Sequence, residues 1–336
     1  MNGRAHQFSR RAAVALLLAL VVPLHSQEPA DSKDPSSHVT RFVTVSENVR
    51  LEVLDWGGSG RPLVLLPGGG DTAHVFDEFA SKLTADFHVY GITRRGFGES
   101  GFAPPALGSD TYGDDVLAVL DALKLARPVL VGHSIGGQEL SSVATRYPTR
   151  VAALVYMDAG YPYAFDNGKG PTLNEFQSLR GPQPPPPSEA DLASFMALRQ
   201  YFLRVQGFAV PEAELRQQRP VGPDGRVGRP RDFPGYSTLL AGMKKYFDVR
   251  VPALVFFALP HGLGRWVDAS TDPKVREQAK AYTAALTPLT SRQAQLIEDG
   301  VPTARVVRLA GAHHHIYLSH ETDVIREIRS FLSRLP

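Results

Sequence analysis

Ser134 stands at the centre of Gly132-His133-Ser134-Ile135-Gly136, a G-x-S-x-G run that follows the apolar stretch Pro128–Val131 and opens a segment of helical spacing. The pattern alone is common in a glycine-rich chain, and its flanks give it meaning. A sharp strand-to-helix turn holds such a serine in a strained backbone conformation with its hydroxyl exposed. Glycines at 132 and 136 leave room for that turn and for close helix packing. The helix that follows brings the positive end of its dipole beside a developing oxyanion. A hydroxyl is a poor nucleophile at neutral pH, so the chemistry also requires a base beside it. A serine in an ordinary glycine-rich turn is the bland alternative, and the strand before it and the helix after it disfavour that.

The run His313-His314-His315 is the second conspicuous group. A metal site built from these three is disfavoured, because adjacent side chains do not easily converge on one ion and no carboxylate cluster adjoins them. The chain contains no cysteine. A disulfide framework, a thiol nucleophile, a thiolate zinc site and an iron–sulfur cluster are therefore excluded. No metal and no cofactor are expected.

These groups need a scaffold, and the hydropathy pattern supplies one. Arg41–Val45 and Arg50–Asp55 alternate around Ser46-Glu47-Asn48, a hairpin signal. Short apolar runs predict strands at Pro62–Pro67, Phe87–Ile92, Pro128–Val131, Val151–Met157, Pro252–Leu259 and Ala304–Leu309. Between them, helical stripes cover Thr72–Leu83, Asp110–Leu125, Gly136–Tyr147, Lys274–Glu298 and Glu321–Leu332. Apolar strands alternating with amphipathic helices predict an α/β fold with a mostly parallel sheet covered on both faces. From Gly160 to Arg250 the composition changes, with Pro184–Pro187, a helical stretch Glu189–Val205 and a Gly/Pro/Arg-rich segment from Arg219 to Gly235. A structureless loop of that size is unexpected inside a compact domain, so it reads as an inserted, largely helical cap.

Of 336 residues, 43% are hydrophobic and 21% charged, with a net charge of +2. Residues 1–26 hold Arg4, Arg10 and Arg11, no other charged residue, and the apolar run Ala12–Val22 ended by Pro23. That is too short to span a bilayer and suits a signal peptide cut near Gln27. Losing its three arginines takes the net charge from +2 to −1. A near-neutral chain carries no electrostatic footprint for nucleic acid. The expected organisation is a signal peptide at 1–26, a polar linker at 27–39, a core at 40–160 and 251–336, and the cap at 161–250. Export to the periplasm or beyond follows, by a Sec or twin-arginine route, with no integral membrane segment after signal removal.

Four segments together carry a resemblance. Val131–Gly137 (VGHSIGG) resembles the nucleophile elbow of the α/β-hydrolase superfamily, and Leu65–Phe76 (LLPGGGDTAHVF) is similar to its oxyanion loop. Ile92–Ser100 (ITRRGFGES) is similar to its D-x-R-G-x-G-x-S turn, with Thr93 in place of the usual acid. Leu309–Leu332 resembles its histidine loop and final helix. The resemblance covers nearly all of residues 40–336, and it implies an α/β-hydrolase fold with the cap between the sixth and seventh strands.

It also implies roles. Ser134 is the nucleophile, and the base lies in the triple-histidine run. His314 follows the small-residue stretch where the family places its base, and His313 and His315 then point elsewhere. The backbone N–H groups of Ile135 and Gly69 form the oxyanion hole, with Gly70 as the alternative to Gly69. Asp158, at the end of the sixth strand, is the acid; Asp268, about ten residues past the seventh, is its rival. Tyr161, Tyr163, Phe165, Phe195, Tyr201 and Phe202 are candidates for lining the substrate pocket or for packing the cap. A serine at the elbow disfavours the aspartate-nucleophile branches, epoxide hydrolases and haloalkane dehalogenases. The implied activity is hydrolysis of a small ester or related acyl substrate through an acyl-enzyme. Lactonase, thioesterase, amidase and cofactor-free perhydrolase activities use the same triad. A slow hydrolase acting as a ligand-binding receptor is the non-enzymatic alternative.

Overall fold

The structure, a computed structural model, describes residues 37–103 and 108–335. The expected signal peptide, and residues 27–36 of the expected linker, lie outside the described residues.

Eight strands form one sheet in the order β1-β2-β4-β3-β5-β6-β7-β8. They are β1 (Val39–Ser46), β2 (Val49–Gly57), β3 (Arg61–Leu66), β4 (Phe87–Ile92), β5 (Val129–His133), β6 (Ala153–Met157), β7 (Ala253–Ala258) and β8 (Ala304–Leu309). The β1–β2 and β2–β4 pairs are antiparallel, and every later pair is parallel. Every residue of β5, β6 and β7 is buried. Strands covered on both faces need apolar side chains at every position, which is why they read as continuous runs rather than alternations. The edge strand β1 is mostly exposed and alternates only at its end, where Val43 and Val45 turn inward between exposed neighbours.

The helices are α1 (Asp77–Ser81), α2 (Ser109–Ala122), α3 (Gly136–Arg146), α4 (Leu173–Ser178), α5 (Phe195–Val205), α6 (Glu212–Gln218), α7 (Arg265–Ala269), α8 (Pro273–Gly300), α9 (Ile316–Ser319) and α10 (Glu321–Leu332). One apolar cluster packs α2, α3 and α8 on one face of the sheet through Leu120, Leu140 and Ile297. A second packs α1 and α10 on the other through Phe79, Val324 and Ile328.

Two predicted helices differ. Thr72–Leu83 breaks into a 3-10 turn at Ala73–Phe76 and the short α1. Distant side chains hold its first turn: the Ala73 amide donates to Thr93 Oγ1 at 3.0 Å, and the Thr72 amide to the Glu214 carboxylate at 3.1 Å. The segment between β6 and β7 is less helical than expected. The predicted helix Glu189–Val205 starts only at Phe195, where Ser194 caps it by accepting from the Ala197 amide. Upstream, Ser188 and Asp191 bond reciprocally and close a separate turn at 189–192. The cap has a small core of its own, formed by Phe195, Leu198, Tyr201, Val205, Leu215 and Val227.

Candidate active site

The turn after β5 places Ser134 with a φ of 50°, in the left-handed region that a side chain seldom occupies. The Ser134 amide donates to the Met157 carbonyl at 3.3 Å, and the Ser134 carbonyl accepts from Gly137 at 2.9 Å. The surrounding glycines make this geometry possible. A Cβ on Gly132 would come 2.8 Å from the Gly136 carbonyl carbon, and one on Gly137 only 2.2 Å from the Ala159 oxygen. Ile135 caps the N-terminus of α3. Ser134 itself is half-buried among buried neighbours.

Gly69 adjoins this turn. A Cβ built on it would lie 3.6 Å from Ile135 Cγ2 and 3.0 Å from Leu239 of the cap. Gly70, at φ 93°, instead faces the Tyr236 hydroxyl. Arg94 fixes the loop: its Nη2 donates to the Pro67 carbonyl at 2.8 Å and its Nη1 to the Gly68 carbonyl at 3.1 Å. In a trans peptide the C=O and N–H point in opposite directions. Holding the Gly68 carbonyl therefore turns the Gly69 N–H away from Arg94. The guanidinium is in turn paired with Glu139, and both side chains are buried. Thr93, in place of the usual acid, passes the Ala73 hydrogen bond on to Glu52 at 2.7 Å. That carboxylate occupies the buried ground beneath the turn.

Asp158, at the end of β6, also has a positive φ, 47°. Its side chain is fully buried. Oδ1 accepts from the Tyr161 hydroxyl at 2.9 Å and from the Ala258 amide at 3.0 Å. Oδ2 lies 2.6 Å from His314 Nδ1. Burial disfavours the charged His314 ring, but the Asp158 hydrogen bond and charge, with Asp71 beyond, outweigh it and raise the pKa above the ordinary value of 6.5. Asp268 is exposed on α7.

The neighbouring histidines differ from His314. His313 packs edge-on to Phe208 at 5.0 Å, and burial depresses its pKa to about 2. His315 Nε2 lies 3.4 Å from Asp71 Oδ2.

Of the six aromatic candidates, Tyr161 and Tyr163 reach the site. Tyr163 places its hydroxyl within hydrogen-bonding reach of the Ser134 side chain. The other four pack within the core and the inserted segment. Phe165 sits in the main core against Gly300. Phe195, Tyr201 and Phe202 build the core of the cap, and the Tyr201 hydroxyl donates to the Pro185 carbonyl at 2.6 Å. A cavity of about 1000 Å³ instead lies between Phe208, His261, Val267, Asp268, Thr283 and His313. The His261 ring neighbours both His314 and His313.

Sequence reading missed Arg94, Asp71 and Glu214. Glu214, on α6, is fully buried and accepts from the Thr72 amide and hydroxyl and from Gln218 Nε2. Burial and the nearby Asp71 raise its pKa. Among the described residues, three groups could hold a metal ion: His38-His74-Asp77, Asp71-His133-His315 and Asp158-His261-His314. No described helix is long and apolar enough to cross a membrane.

The sequence profile described as alpha/beta hydrolase fold matches residues 61–321. A non-heme chloroperoxidase of Streptomyces lividans is 34% identical over 132 residues, 38% of this chain and 48% of that one. A bifunctional esterase/perhydrolase of Acinetobacter calcoaceticus is 30% identical over 125 residues, 36% of this chain and 45% of that one. The chain thus spans about half the length of these curated relatives. The crystal structure of E-2-(acetamidomethylene)succinate hydrolase superposes with a TM-score of 0.62 at 19% identity, covering 88% of this chain and 99% of that one. At that identity the likeness shows the fold.

Proposed function

Because the chain belongs to the α/β-hydrolase family, we propose that it is a serine hydrolase that cleaves a small carboxylic ester through an acyl-enzyme. The observation that carries the reading is the 2.6 Å contact of Asp158 Oδ2 with His314 Nδ1, at strand ends on either side of β7 and beside the strained Ser134 turn.

In this mechanism neutral His314 accepts the Ser134 proton on Nε2 as Oγ attacks the acyl carbon. Asp158 holds the ring by its Nδ1–H and stabilises the imidazolium that forms. The carbonyl oxygen becomes an oxyanion and receives hydrogen bonds from the Ile135 and Gly69 N–H groups, the latter oriented through Arg94. Collapse expels the alcohol, which takes the proton from His314. Water then repeats the sequence on the acyl-enzyme, giving the acid and restoring Ser134. Tyr161 fills the remaining acceptor demand of Asp158, and Tyr163 steers the resting serine hydroxyl.

The esterase/perhydrolase relative supports a second reading at the same centre, in which hydrogen peroxide replaces water in deacylation and a peracid is released. The experiment is turnover of a nitrophenyl-ester chain-length series by wild type and Ser134→Ala, with and without peroxide. Hydrolysis abolished in the variant supports the proposal. Tight stoichiometric binding without turnover in wild type rejects it in favour of a receptor.

A further inference from the structure

Three side chains from distant parts of the chain converge beside the His314 loop: Asp71 after β3, His133 at the end of β5, and His315. Asp71 Oδ2 lies 3.4 Å from His315 Nε2 and 3.9 Å from His133 Nδ1, and all three donor atoms fall within 4.8 Å of one another. His133 is 1% exposed. Its Nε2 is 3.1 Å from the His314 carbonyl, which can only accept, so Nε2 carries the ring proton. Its Nδ1 is then a bare lone pair, without a hydrogen-bond partner, turned toward a carboxylate oxygen. Two acceptors facing each other away from water are in electrostatic conflict, which positive charge between them relieves.

We propose that Asp71, His133 and His315 form a binding site for a divalent transition-metal ion, with Zn²⁺ the best match. Two imidazoles and one carboxylate suit zinc, nickel or copper better than magnesium or calcium, which prefer all-oxygen shells. A tetrahedral zinc site with bonds near 2.1 Å sets its donors about 3.4 Å apart. The Asp71–His315 separation already matches, and the Asp71–His133 separation exceeds it by about half an ångström. His315 is 28% exposed at its side chain, which leaves it room to turn toward His133.

The surroundings have the pattern of a metal site's outer shell. A ligating histidine usually donates its other N–H to a carbonyl or carboxylate, and a ligating carboxylate is itself hydrogen-bonded. His133 Nε2–H does the first through the His314 carbonyl. Asp71 does the second, its Oδ1 accepting from Gln218 Nε2 at 3.3 Å. Three protein ligands leave a further coordination position for water or another small donor.

The test is metal binding to chelator-treated protein. Zn²⁺ is titrated by calorimetry and Co²⁺ by its visible absorption. One equivalent should bind at micromolar or tighter affinity, with the strong visible bands of four-coordinate cobalt. Asp71→Asn, a near-isosteric change, and His315→Gln should each weaken binding by at least about 100-fold. Both variants are melted alongside wild type, and each serves as the control for the other's folding. Asp158→Asn, which alters the neighbouring Asp158-His261-His314 group, should bind like wild type. Binding weaker than millimolar overturns the proposal and makes water the partner of His133. Binding that survives both ligand variants, or that is lost in Asp158→Asn, overturns it as well. The readout is affinity, so it stands or falls separately from the Ser134 chemistry.

Discussion

Asp158 and His314 are 156 positions apart in the chain, yet Oδ2 of one lies 2.6 Å from Nδ1 of the other. Strands β6 and β8 flank β7 in the sheet, and the turns at their carboxyl ends bring the two side chains together. The carboxylate spends Oδ1 on the Tyr161 hydroxyl and the Ala258 amide, so Oδ2 has one direction in which to accept.

Replacing Asp158 by Asn should therefore lower kcat by about 10⁴, because the amide favours the wrong histidine tautomer. The measurement is single-turnover ester cleavage with melting temperatures recorded. Asp268→Asn should behave as wild type. A dead but folded Asp268→Asn beside an active Asp158→Asn would move the acid to the loop after β7.

The pH profile should reflect the raised pKa of His314. In the proposed mechanism the base works as neutral imidazole, so the acid limb of kcat/KM should have its midpoint above the ordinary histidine value of about 6.5. Asp158→Asn should move that midpoint downward. The sign for stability is opposite to that for activity: the protonated His314–Asp158 pair stabilises the fold most fully below the unfolded-state value, and this contribution fades as pH rises through the folded value. Profiles are recorded with a chelator present, and a midpoint below 6.5 would contradict the geometry.

His314→Asn should abolish turnover, whereas His313→Asn should leave chemistry nearly intact, because His313 packs against Phe208. A crippling His313 substitution with normal folding, measured by kcat on the same ester, would shift the register of this loop.

Arg94 should prove a positioning residue. Arg94→Ala strands Glu139 in the interior and should cost about 3–5 kcal/mol in urea unfolding. In the double variant with Glu139→Gln, much of that stability should return. The Gly68 carbonyl would still lack its donor, so kcat should remain depressed with little change in KM. Recovery of kcat together with stability would reduce Arg94 to a structural role.

Gly137→Ala should destabilise the elbow by about 1–3 kcal/mol or more, since the added methyl would meet the Ala159 carbonyl oxygen at 2.2 Å. Thermal unfolding of the variant measures this directly.

The local parts of this architecture are legible in the sequence. The predicted strand Ala304–Leu309 and helix Glu321–Leu332 match β8 and α10 because each has an apolar pattern with clear ends. The turn at Ser134 is equally local. What is illegible depends on contacts far apart in the chain. Thr72 and Glu214 are 142 positions apart, and their pairing fixes the start of the segment predicted as one helix at Thr72–Leu83. The aromatic residues of the cap look alike in sequence, and only packing separates Tyr163, beside Ser134, from Tyr201, inside the cap core. Asp71 and His315 have no short-range signature because their proximity is created by the sheet.

The bond from Thr72 to Glu214 also bears on how substrate could enter. Swinging α6 upward like a hinged lid would strip the Thr72 amide of its acceptor and expose the most deeply buried carboxylate of the inserted segment to solvent. The segment is riveted to the loop beside Ser134 rather than perched above it. Residues 234–247 reach the same loop, with Tyr236, Leu240, Met243 and Phe247 exposed and Leu239 against Gly69. By the same reasoning, excising the segment would not leave a smaller working enzyme: core and cap should lose their structure in a single cooperative step.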